Sequence, residues 1–405
     1  MGRKKKEISE SDIVNHSYIR RAGELFKELR PVGCDRDRAR NRQLCFDDYC
    51  SWILFYALVP AVDSMRMLQM ASDLESVRKS LSLPRFSLGS FSEAPAVFHA
   101  DKLEPIAARL AARITPQAQD PKLKELKYSV TLVDSTLLRT LPRLTETFYG
   151  PSRDGGTYHA WRVHMELQVG LPAPDRTTVT EAWKGGHERK VLNRNLRPGC
   201  CYVTDRGFHD VDLYNHIHSK GSRYVCRVRD NLKHTVAQEL PVSDEQRKAG
   251  ILSDQIVLIG QDRKEPPNHP VRLVTVSAEA HPKRTRQGVQ PSSGKMLLVA
   301  NLGTDEAAAE VVSLLYRYRW SIELFFRFLK QSMGMGHLLS HRKEAVRIHV
   351  YCMVICCLLL HLWTGLMPNK ATLTMVGWYL TGLASLKELL AFVEKQNNPR
   401  KKKPV

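Results

Sequence analysis

The chain changes character at the stretch Tyr128-Ser129-Val130-Thr131-Leu132-Val133-Asp134. Apolar and polar residues alternate along this stretch, which is typical of a β-strand with one buried face. Similar runs follow at 162–169, 177–183, 201–204 and 223–228, with helix-like patches between some of them. Strands interspersed with helical segments indicate an α/β domain that begins at this point of the chain.

Residues 231–300 are predicted to form a β-rich insertion within this α/β domain. Strand-like runs occur at 255–259, 271–276 and 296–300. Stretches rich in Pro and Gly separate them, and Phe, Tyr and Trp are absent between Tyr224 and Tyr316. A long helix is predicted after the insertion, from about Asp305 to Met333, because apolar residues recur there at helical spacing.

The regions on either side of the α/β domain are predicted to be helical. In residues 1–125, apolar residues at helical spacing run through 17–29 and 46–83, and prolines interrupt them. In the C-terminal part, 350–367 is almost continuously apolar, but it is at the short limit for a membrane span. Because it also contains His361, it is predicted to be a buried core or dimer helix.

The composition favours a basic globular protein. The 405 residues include 61 Lys and Arg against 42 Asp and Glu, a net charge of +19. With 43% hydrophobic residues, wholesale disorder and a fibrous protein are excluded. The charge indicates a polyanionic partner, either nucleic acid or an anionic membrane. The nine cysteines form no CxxC pair, and the first residues lack the apolar stretch of a signal peptide, so reduced thiols in a cytoplasmic protein are predicted.

Five residues of the long helix form a polar stripe: Tyr316, Arg319, Glu323, Arg327 and Lys330. At about 100° per residue, they fall within less than a quarter of the helix circumference. One interpretation is a solvated face with ion pairs between the glutamate and its basic neighbours. The alternative is a cleft wall, because bulky apolar residues occupy the other sides. A single carboxylate among basic and phenolic groups suits a metal site beside a polyphosphate.

Two aspartates follow predicted strands and are candidates for the same site. Asp134 follows the strand at 128–133, and Asp205 follows the strand at 201–204. Taken alone, the first could cap a helix and the second could belong to a turn. In an open α/β sheet, however, sites are built where the strands end. Together with Glu323 they would form an all-oxygen ligand set, which suits Mg²⁺ or Mn²⁺ better than zinc.

The helix residues carry a resemblance to a known family. The spacing of Tyr316, Arg319, Glu323 and Lys330 is that of the Tyr-Arg-Glu-Lys signature of bacterial insertion-sequence DDE transposases. The contexts Leu132-Val133-Asp134-Ser135-Thr136 and Tyr202-Val203-Thr204-Asp205-Arg206-Gly207 are also similar to that family. The resemblance extends over about 130–340, and the N-terminal 125 residues fit it only in general character.

The resemblance implies a ribonuclease-H-like catalytic core and a DNA transposition activity. Asp134, Asp205 and Glu323 would be the catalytic residues and the ligands of two Mg²⁺ (or Mn²⁺) ions. The enzyme would cleave DNA at the ends of its element and join the 3′ ends to target DNA. The side chains predicted to bind DNA are Tyr316, Arg319, Lys330, Arg206 and Arg327.

A division of the chain into three regions follows from these expectations. Residues 1–125 would be a helical DNA-binding region, 126–345 the ribonuclease-H-like core with its insertion, and 346–405 a helical region for dimerisation that ends in a basic tail. The partners would be double-stranded transposon-end and target DNA. A homodimer in the DNA complex, no membrane, and a nucleoid-associated bacterial protein are expected.

Other interpretations remain open at the level of the sequence. A ribonuclease-H-like nuclease or resolvase would cleave DNA without strand transfer, and a non-catalytic remnant would only bind it. A basic membrane-surface protein would use 350–367 as its anchor. Some relatives of the family cut the second strand through a hairpin with an aromatic wedge from the insertion, which this sequence lacks. Arg162 and His164 share one strand face, and the histidine is predicted to be structural.

Overall fold

The structure is a computed structural model. It describes residues 23–32, 36–37, 42–59, 61–116, 120–140, 150–151, 157–182, 187–278 and 294–397. The predicted basic tail, the first part (17–22) of the predicted helix at 17–29 and the end of the predicted strand at 177–183 lie outside these residues.

Ten strands form one mixed sheet in the described part of the chain. They are β1 Ser129–Thr140, β2 Gly150–Pro151, β3 Thr157–Gln168, β4 Arg176–Glu181, β5 Cys200–Thr204, β6 Arg223–Val228, β7 His234–Glu239, β8 Ile251–Ile259, β9 Val271–Ser277 and β10 Lys295–Ala300. Their order is β2-β3-β1-β5-β6-β10-β9-β8-β7, and β4 pairs with β3. The α/β domain predicted from the alternating runs is confirmed, although β7 was not predicted.

Parallel pairing sets the centre of the sheet. β1 pairs with β5 from Ser129 opposite Cys200 to Leu132 opposite Val203, and β5 pairs in parallel with β6. β5 is buried along its whole length, as expected for a strand covered on both faces. The insertion then continues the same sheet, because β10 lies antiparallel to β6 and carries β9 and β8 beyond it.

β1 is longer than predicted, so the local environment predicted for Asp134 was wrong. The strand continues to Thr140, so no helix begins after Asp134 and this residue is not a helix cap. Its parallel pairing with β5 stops at Leu132, and β3 is its other neighbour in the sheet. Asp134 therefore lies just beyond the last parallel pair rather than at the end of a strand.

The helices have the following bounds. They are α1 Leu29–Val32, α2 Phe46–Leu58, α3 Met65–Asp73, α4 Glu75–Leu81, α5 Leu88–Glu93, α6 Leu103–Ala111, α7 Glu188–Asn195, α8 Val211–Ser219, α9 Asp244–Lys248, α10 Ala309–Tyr318, α11 Trp320–Ser332, α12 Lys343–Thr364, α13 Lys370–Leu380 and α14 Leu386–Asn397. Short 3₁₀ turns occur at Ala94–Ala96, Ala100–Lys102, Pro121–Leu123 and Arg206–Phe208.

The predicted long helix is two helices, α10 and α11, with Arg319 between them. The backbone of Arg319 is still right-handed helical, but it is tightened by bonds to the third preceding residue: Arg319 N–H donates to Tyr316 O at 3.1 Å, and Ile322 N–H donates to Arg319 O at 3.3 Å. The helices are also less buried than predicted, because Trp320 and Leu324 are 43% and 45% exposed.

The chain forms two compact units, which we call the sheet unit and the helical unit. The sheet unit comprises Pro116–Leu137 and Arg162–Leu324. The helical unit comprises Met1–Thr115, Leu138–Trp161 and Phe325–Val405. The N-terminal and C-terminal helices therefore belong to one unit. The division at 125 and 345 stays a prediction.

A hydrophobic core of the sheet unit fixes the strands that carry the candidate site. Its buried residues include Val133, Tyr202, Phe208, Tyr224 and Val299, from β1, β5, the following 3₁₀ turn, β6 and β10. Because Val133 and Phe208 lie in this core, their neighbours Asp134 and the start of the 3₁₀ turn are held in place by packing.

A buried ion pair joins the insertion to the start of α10. The Arg272 guanidinium on β9 donates to both Asp254 oxygens on β8, at 2.8 and 2.6 Å, and to Ala307 O at 2.6 Å. Both side chains are almost fully buried. A charge in such a position is tolerated because its hydrogen bonds are satisfied, and the pair ties three segments of the sheet unit together.

The helical unit is built around α12. This helix packs against α2 and α6, and all of α2 is buried. Among the described residues, α12 is the one helix long and apolar enough to cross a membrane by length and composition, and 83% of its apolar window is buried within the protein. Burial of this kind is typical of a core helix, as predicted.

Candidate functional site

Asp134 is the most perturbed carboxylate of the sheet unit. Its Oδ1 accepts a hydrogen bond of 2.7 Å from the Ser135 backbone N–H. Burial raises the pKa of Asp134 to about 7, and the negative charges of Asp205 and Glu188 act in the same direction. The Ser135 hydrogen bond and the Arg319 guanidinium oppose this rise. A carboxyl group with a pKa this high, near other charges, is typical of functional sites.

Asp205 lies at the end of β5, as predicted. It is the residue before the 3₁₀ turn Arg206–Phe208, and its Oδ1 accepts a hydrogen bond of 2.8 Å from the Gly207 N–H. Asp205 therefore stabilises a turn, as the sequence predicted. It does not exclude a second role, because the other carboxylate oxygen is not used by this hydrogen bond.

Arg319 connects Glu323 with Asp134. Its Nη2 donates to Glu323 Oε1, and its Nη1 lies 3.8 Å from Asp134 Oδ2. Its guanidinium carbon lies 5.5 Å from the centre of the Tyr316 ring, within range of a cation–π interaction. The short interruption between α10 and α11 is thus the point at which a basic side chain is directed between two of the predicted metal ligands.

Glu188, at the start of α7, belongs to the same group and was missed in the sequence. The Ser135 hydroxyl donates to its Oε1, and Arg162 Nη1 donates to the same oxygen at 2.7 Å. A first-turn glutamate has many ordinary explanations, since it interacts favourably with the helix dipole. The one available signal was its position on the first helix after β4.

The remaining predicted DNA-binding residues have different surroundings. Tyr316 is only 8% exposed, so its ring supports Arg319 rather than offering a free face for stacking. Arg206 and Arg327 are exposed. Lys330 lies in the helical unit, where burial and the charge of Arg139 lower its pKa. The role of these residues in binding DNA stays a prediction.

Several histidines of the sheet unit, including His164, have structural surroundings. His164 is buried, and its Nε2 lies 3.0 Å from the Thr180 hydroxyl. Burial and the neighbouring Arg162 charge lower the pKa of His164 to about 3, so it is neutral at physiological pH. His216 contacts Asn193, and the His218 ring stacks on His269 at 4.3 Å. The structural role predicted for His164 fits these contacts.

The donor set fits a hard divalent cation. In the sheet unit, Arg319 contacts Asp134 and Glu323, while two further carboxylates border Gly207: a Cβ there would lie 3.0 Å from Asp205 Oδ1 and 3.5 Å from Glu188 Oε2. Carboxylate oxygens are the ligands that Mg²⁺ and Mn²⁺ prefer. Without a cation, carboxylates repel one another, and Arg319 supplies the compensating charge.

The carboxylates of the sheet unit are not drawn into a tight cluster. Among the described residues, the one group of three potential ligand atoms that all lie within 4.8 Å of one another is Cys45, Asp47 and Asp48, in the helical unit. Arg30 bridges its two aspartates with hydrogen bonds of 2.9 Å. That group therefore already has a protein cation bonded to both of its carboxylates.

The fold and these acids define a class of protein, an α/β enzyme core with acidic residues at the centre of a mixed sheet. A family model described as "Transposase DDE domain" matches residues 125–360, more than half of the chain. The chain belongs to this family of DDE transposases. Its mixed α/β core continues into a β-rich insertion, in agreement with the fold class that the resemblance implied.

Curated relatives carry the same description. The chain is 26% identical over 219 residues to "Putative transposase for insertion sequence element IS4SA" of Synechocystis sp., covering 52% of this chain and 54% of the relative. It is 21% identical over 256 residues to "Putative transposase y4zB" of Sinorhizobium fredii, covering 62% and 65%. For the Escherichia coli "Putative transposase InsL for insertion sequence element IS186A", the identity is 23% over 238 residues, covering 52% and 62%.

The matches are partial, since the aligned part of the chain spans between about half and two thirds of the length of these relatives. Among solved structures, a piggyBac transposase synaptic complex with hairpin DNA is similar at a TM-score of 0.48 and 12% identity. That match covers 95% of this chain and 83% of the other.

Proposed function

We propose that this protein binds the ends of an insertion sequence, cleaves the DNA there and joins the freed 3′ ends to target DNA. The observation that carries the proposal is the arrangement of Asp134, Asp205 and Glu323 in one compact unit, with Arg319 between the first and the last of them. Family membership supplies the reaction class, and this arrangement supplies the residues.

The three carboxylates would hold two divalent cations, Mg²⁺ or Mn²⁺. When bound, such ions activate the attacking hydroxyl or water and stabilise the leaving oxygen in phosphoryl transfer. Asp134 and Asp205 would bind from the β1 and β5 side, and Glu323 from α11. With cations bound to the carboxylates, the guanidinium of Arg319 would be available to donate two parallel N–H hydrogen bonds to phosphate oxygens.

The other parts of the proposal concern the partners. Arg319, Arg206, Arg327 and Lys330 would each contact transposon-end or target DNA, and Tyr316 would contribute by supporting the Arg319 guanidinium with its ring. The active form would be a homodimer bound to two transposon ends. Light scattering would then show twice the protein mass in the complex with end DNA that it shows for the free protein. We place the protein in the bacterial cytoplasm, associated with the nucleoid.

A strand-transfer assay tests the proposal. The purified protein is incubated with Mg²⁺, a labelled DNA fragment taken from the sequence flanking its own gene, and a supercoiled plasmid as target. Wild type should give labelled plasmid. The yield should fall by at least about 10²-fold in each of three variants, Asp134→Asn, Asp205→Asn and Glu323→Gln. Circular dichroism checks that each variant is folded.

The outcomes distinguish the alternative activities. Nicked plasmid without joined label would show that the protein is a nuclease or resolvase and would overturn the proposal. DNA binding without nicking, in wild type as in the variants, would leave a non-catalytic DNA-binding protein. Glu344→Gln serves as the control, because it removes a first-turn glutamate paired with Arg347 in the helical unit and should leave strand transfer unchanged.

A further inference from the structure

A fourth carboxylate is built into the proposed cation site. Glu188 Oε1 accepts hydrogen bonds from the Ser135 hydroxyl and from Arg162, and Arg162 Nη1 also lies 3.3 Å from the Ser135 hydroxyl. Ser135 in turn donates its backbone N–H to Asp134. Glu188 is therefore fixed, through one oxygen, to the residue next to Asp134.

The second oxygen of Glu188 and one carboxylate oxygen of Asp205 both lie close to Gly207. Glu188 Oε2 and Asp205 Oδ1 lie 3.5 Å and 3.0 Å from the same point, the place that a Cβ of Gly207 would occupy. The Gly207 N–H is directed to Asp205, and the Arg162 bond is on Oε1. Two carboxylates thus border the same space, which no side chain of Gly207 fills, and a cation bound there would relieve the repulsion between their charges.

We propose that Glu188 is a fourth oxygen ligand of the divalent-cation site, acting through Oε2 on the side of Asp205. The inference rests on the proposed function, because it adds a ligand to that site. Arg162 and Ser135 hold Oε1 and so leave Oε2 to the cation. A ligand held by neighbouring groups in this way loses little conformational entropy on binding.

Direct cation binding provides the test, with Mn²⁺ alone as the probe and isothermal titration calorimetry as the measurement. Glu188→Gln keeps an oxygen that can accept from Ser135 and Arg162, but it removes the negative charge. We expect Mn²⁺ binding to weaken by about tenfold or more, or one of two bound ions to be lost. The rise in melting temperature that Mn²⁺ causes should shrink accordingly.

Glu344→Gln is a matched control for the loss of a structural ion pair. Glu344 also lies in the first turn of a helix, is paired with an arginine, and has a side chain 23% exposed against 24% for Glu188. It should bind Mn²⁺ as wild type does. Gly207→Ala is the second variant, because it places a Cβ within 3.5 Å of an oxygen of each carboxylate and leaves Arg162, Ser135 and Glu188 unsubstituted. It should also weaken Mn²⁺ binding.

The outcomes separate this inference from the proposed function. If wild type binds Mn²⁺, Asp205→Asn abolishes the binding, and folded Glu188→Gln and Gly207→Ala bind like wild type, then Glu188 is only structural and the inference is overturned. If Glu188→Gln does not fold, Gly207→Ala decides alone. If wild type binds no Mn²⁺ and joins no DNA, the proposed function itself fails.

Discussion

At the scale of single residues, Arg319 is the side chain on which the site depends most. It neutralises Glu323 through a hydrogen bond and Asp134 across 3.8 Å, and its side chain is 13% exposed. A mostly buried guanidinium between carboxylates stabilises them in the absence of another cation. The same group is suited to phosphate when a divalent ion takes over the carboxylates.

Replacement of Arg319 should make the protein more dependent on divalent ions. In Arg319→Ala, Asp134 and Glu323 lose their shared counter-ion, so Mn²⁺ should raise the melting temperature by about 2 °C more than it does in wild type. Differential scanning calorimetry with and without MnCl₂ measures this. The exposed neighbour Arg317 provides the control, and an equal Mn²⁺ effect in Arg319→Ala and Arg317→Ala would contradict the prediction.

Glu306 gives a pH-dependent contribution to stability. Burial alone would raise its pKa, but hydrogen bonds from Arg223 at 2.7 Å and from the Tyr128 hydroxyl at 2.7 Å overcome this and lower the pKa to about 2. Because the folded-state pKa is below the ordinary value of 4.5, the stabilisation is complete above about pH 4.5 and is lost as the pH falls towards 2.

Glu306→Gln should therefore lower the free energy of unfolding by about 1–2 kcal/mol at pH 7, after allowance for solvent screening of a partly exposed group. The difference from wild type should shrink steadily as the pH is lowered to about 3. Urea unfolding at a series of pH values measures it, with the exposed Glu245→Gln as control. A difference that is constant across this pH range would show that the ion pair is not its source.

At the scale of elements, the connection between α11 and α12 depends on a glycine. Gly334 has a φ of 75°, and a Cβ there would lie 2.7 Å from the Tyr56 ring. The Tyr56 hydroxyl donates to His337 O at 3.3 Å in the same connection. A positive φ and close packing together restrict this position to glycine.

Gly334→Ala should destabilise the protein by about 2–3 kcal/mol, the sum of backbone strain and overpacking against Tyr56. Gly382→Ala is a matched control, since Gly382 has a similar φ of 78° but open space around its Cβ position, so only the strain of about 1 kcal/mol applies. Chemical denaturation measures both variants. Equal losses would mean that the contact with Tyr56 contributes nothing.

At the scale of the whole molecule, the net charge of +19 dominates the expected behaviour towards DNA. Each phosphate contacted by Lys or Arg releases a counterion, so affinity should fall steeply with salt. For a footprint of about 6–10 phosphates, a loss of about 10³-fold or more is expected between roughly 50 and 200 mM NaCl. Fluorescence anisotropy with labelled duplex DNA measures this, and an affinity that does not change with salt would contradict a DNA-binding function.

The sequence by itself determined most of the strands and the positions of the key acids. Short runs rich in apolar and β-branched residues located β5, β6, β9 and β10 within about a residue at each end, because such runs are typical of strands. The acids after β5 and on α11 were identifiable because strand ends and polar stripes on apolar helices are local features.

The tertiary structure alone decided which of these groups meet. Strand pairing extended β1 past Asp134, and the tightened turn at Arg319 directed a guanidinium between two carboxylates. A first-turn glutamate of α7 came to be hydrogen-bonded to Ser135, the residue after Asp134. None of these follows from local pattern, because each depends on contacts between segments far apart in the chain. Local periodicity selects the elements, whereas long-range packing selects the neighbours that give a carboxylate its chemistry.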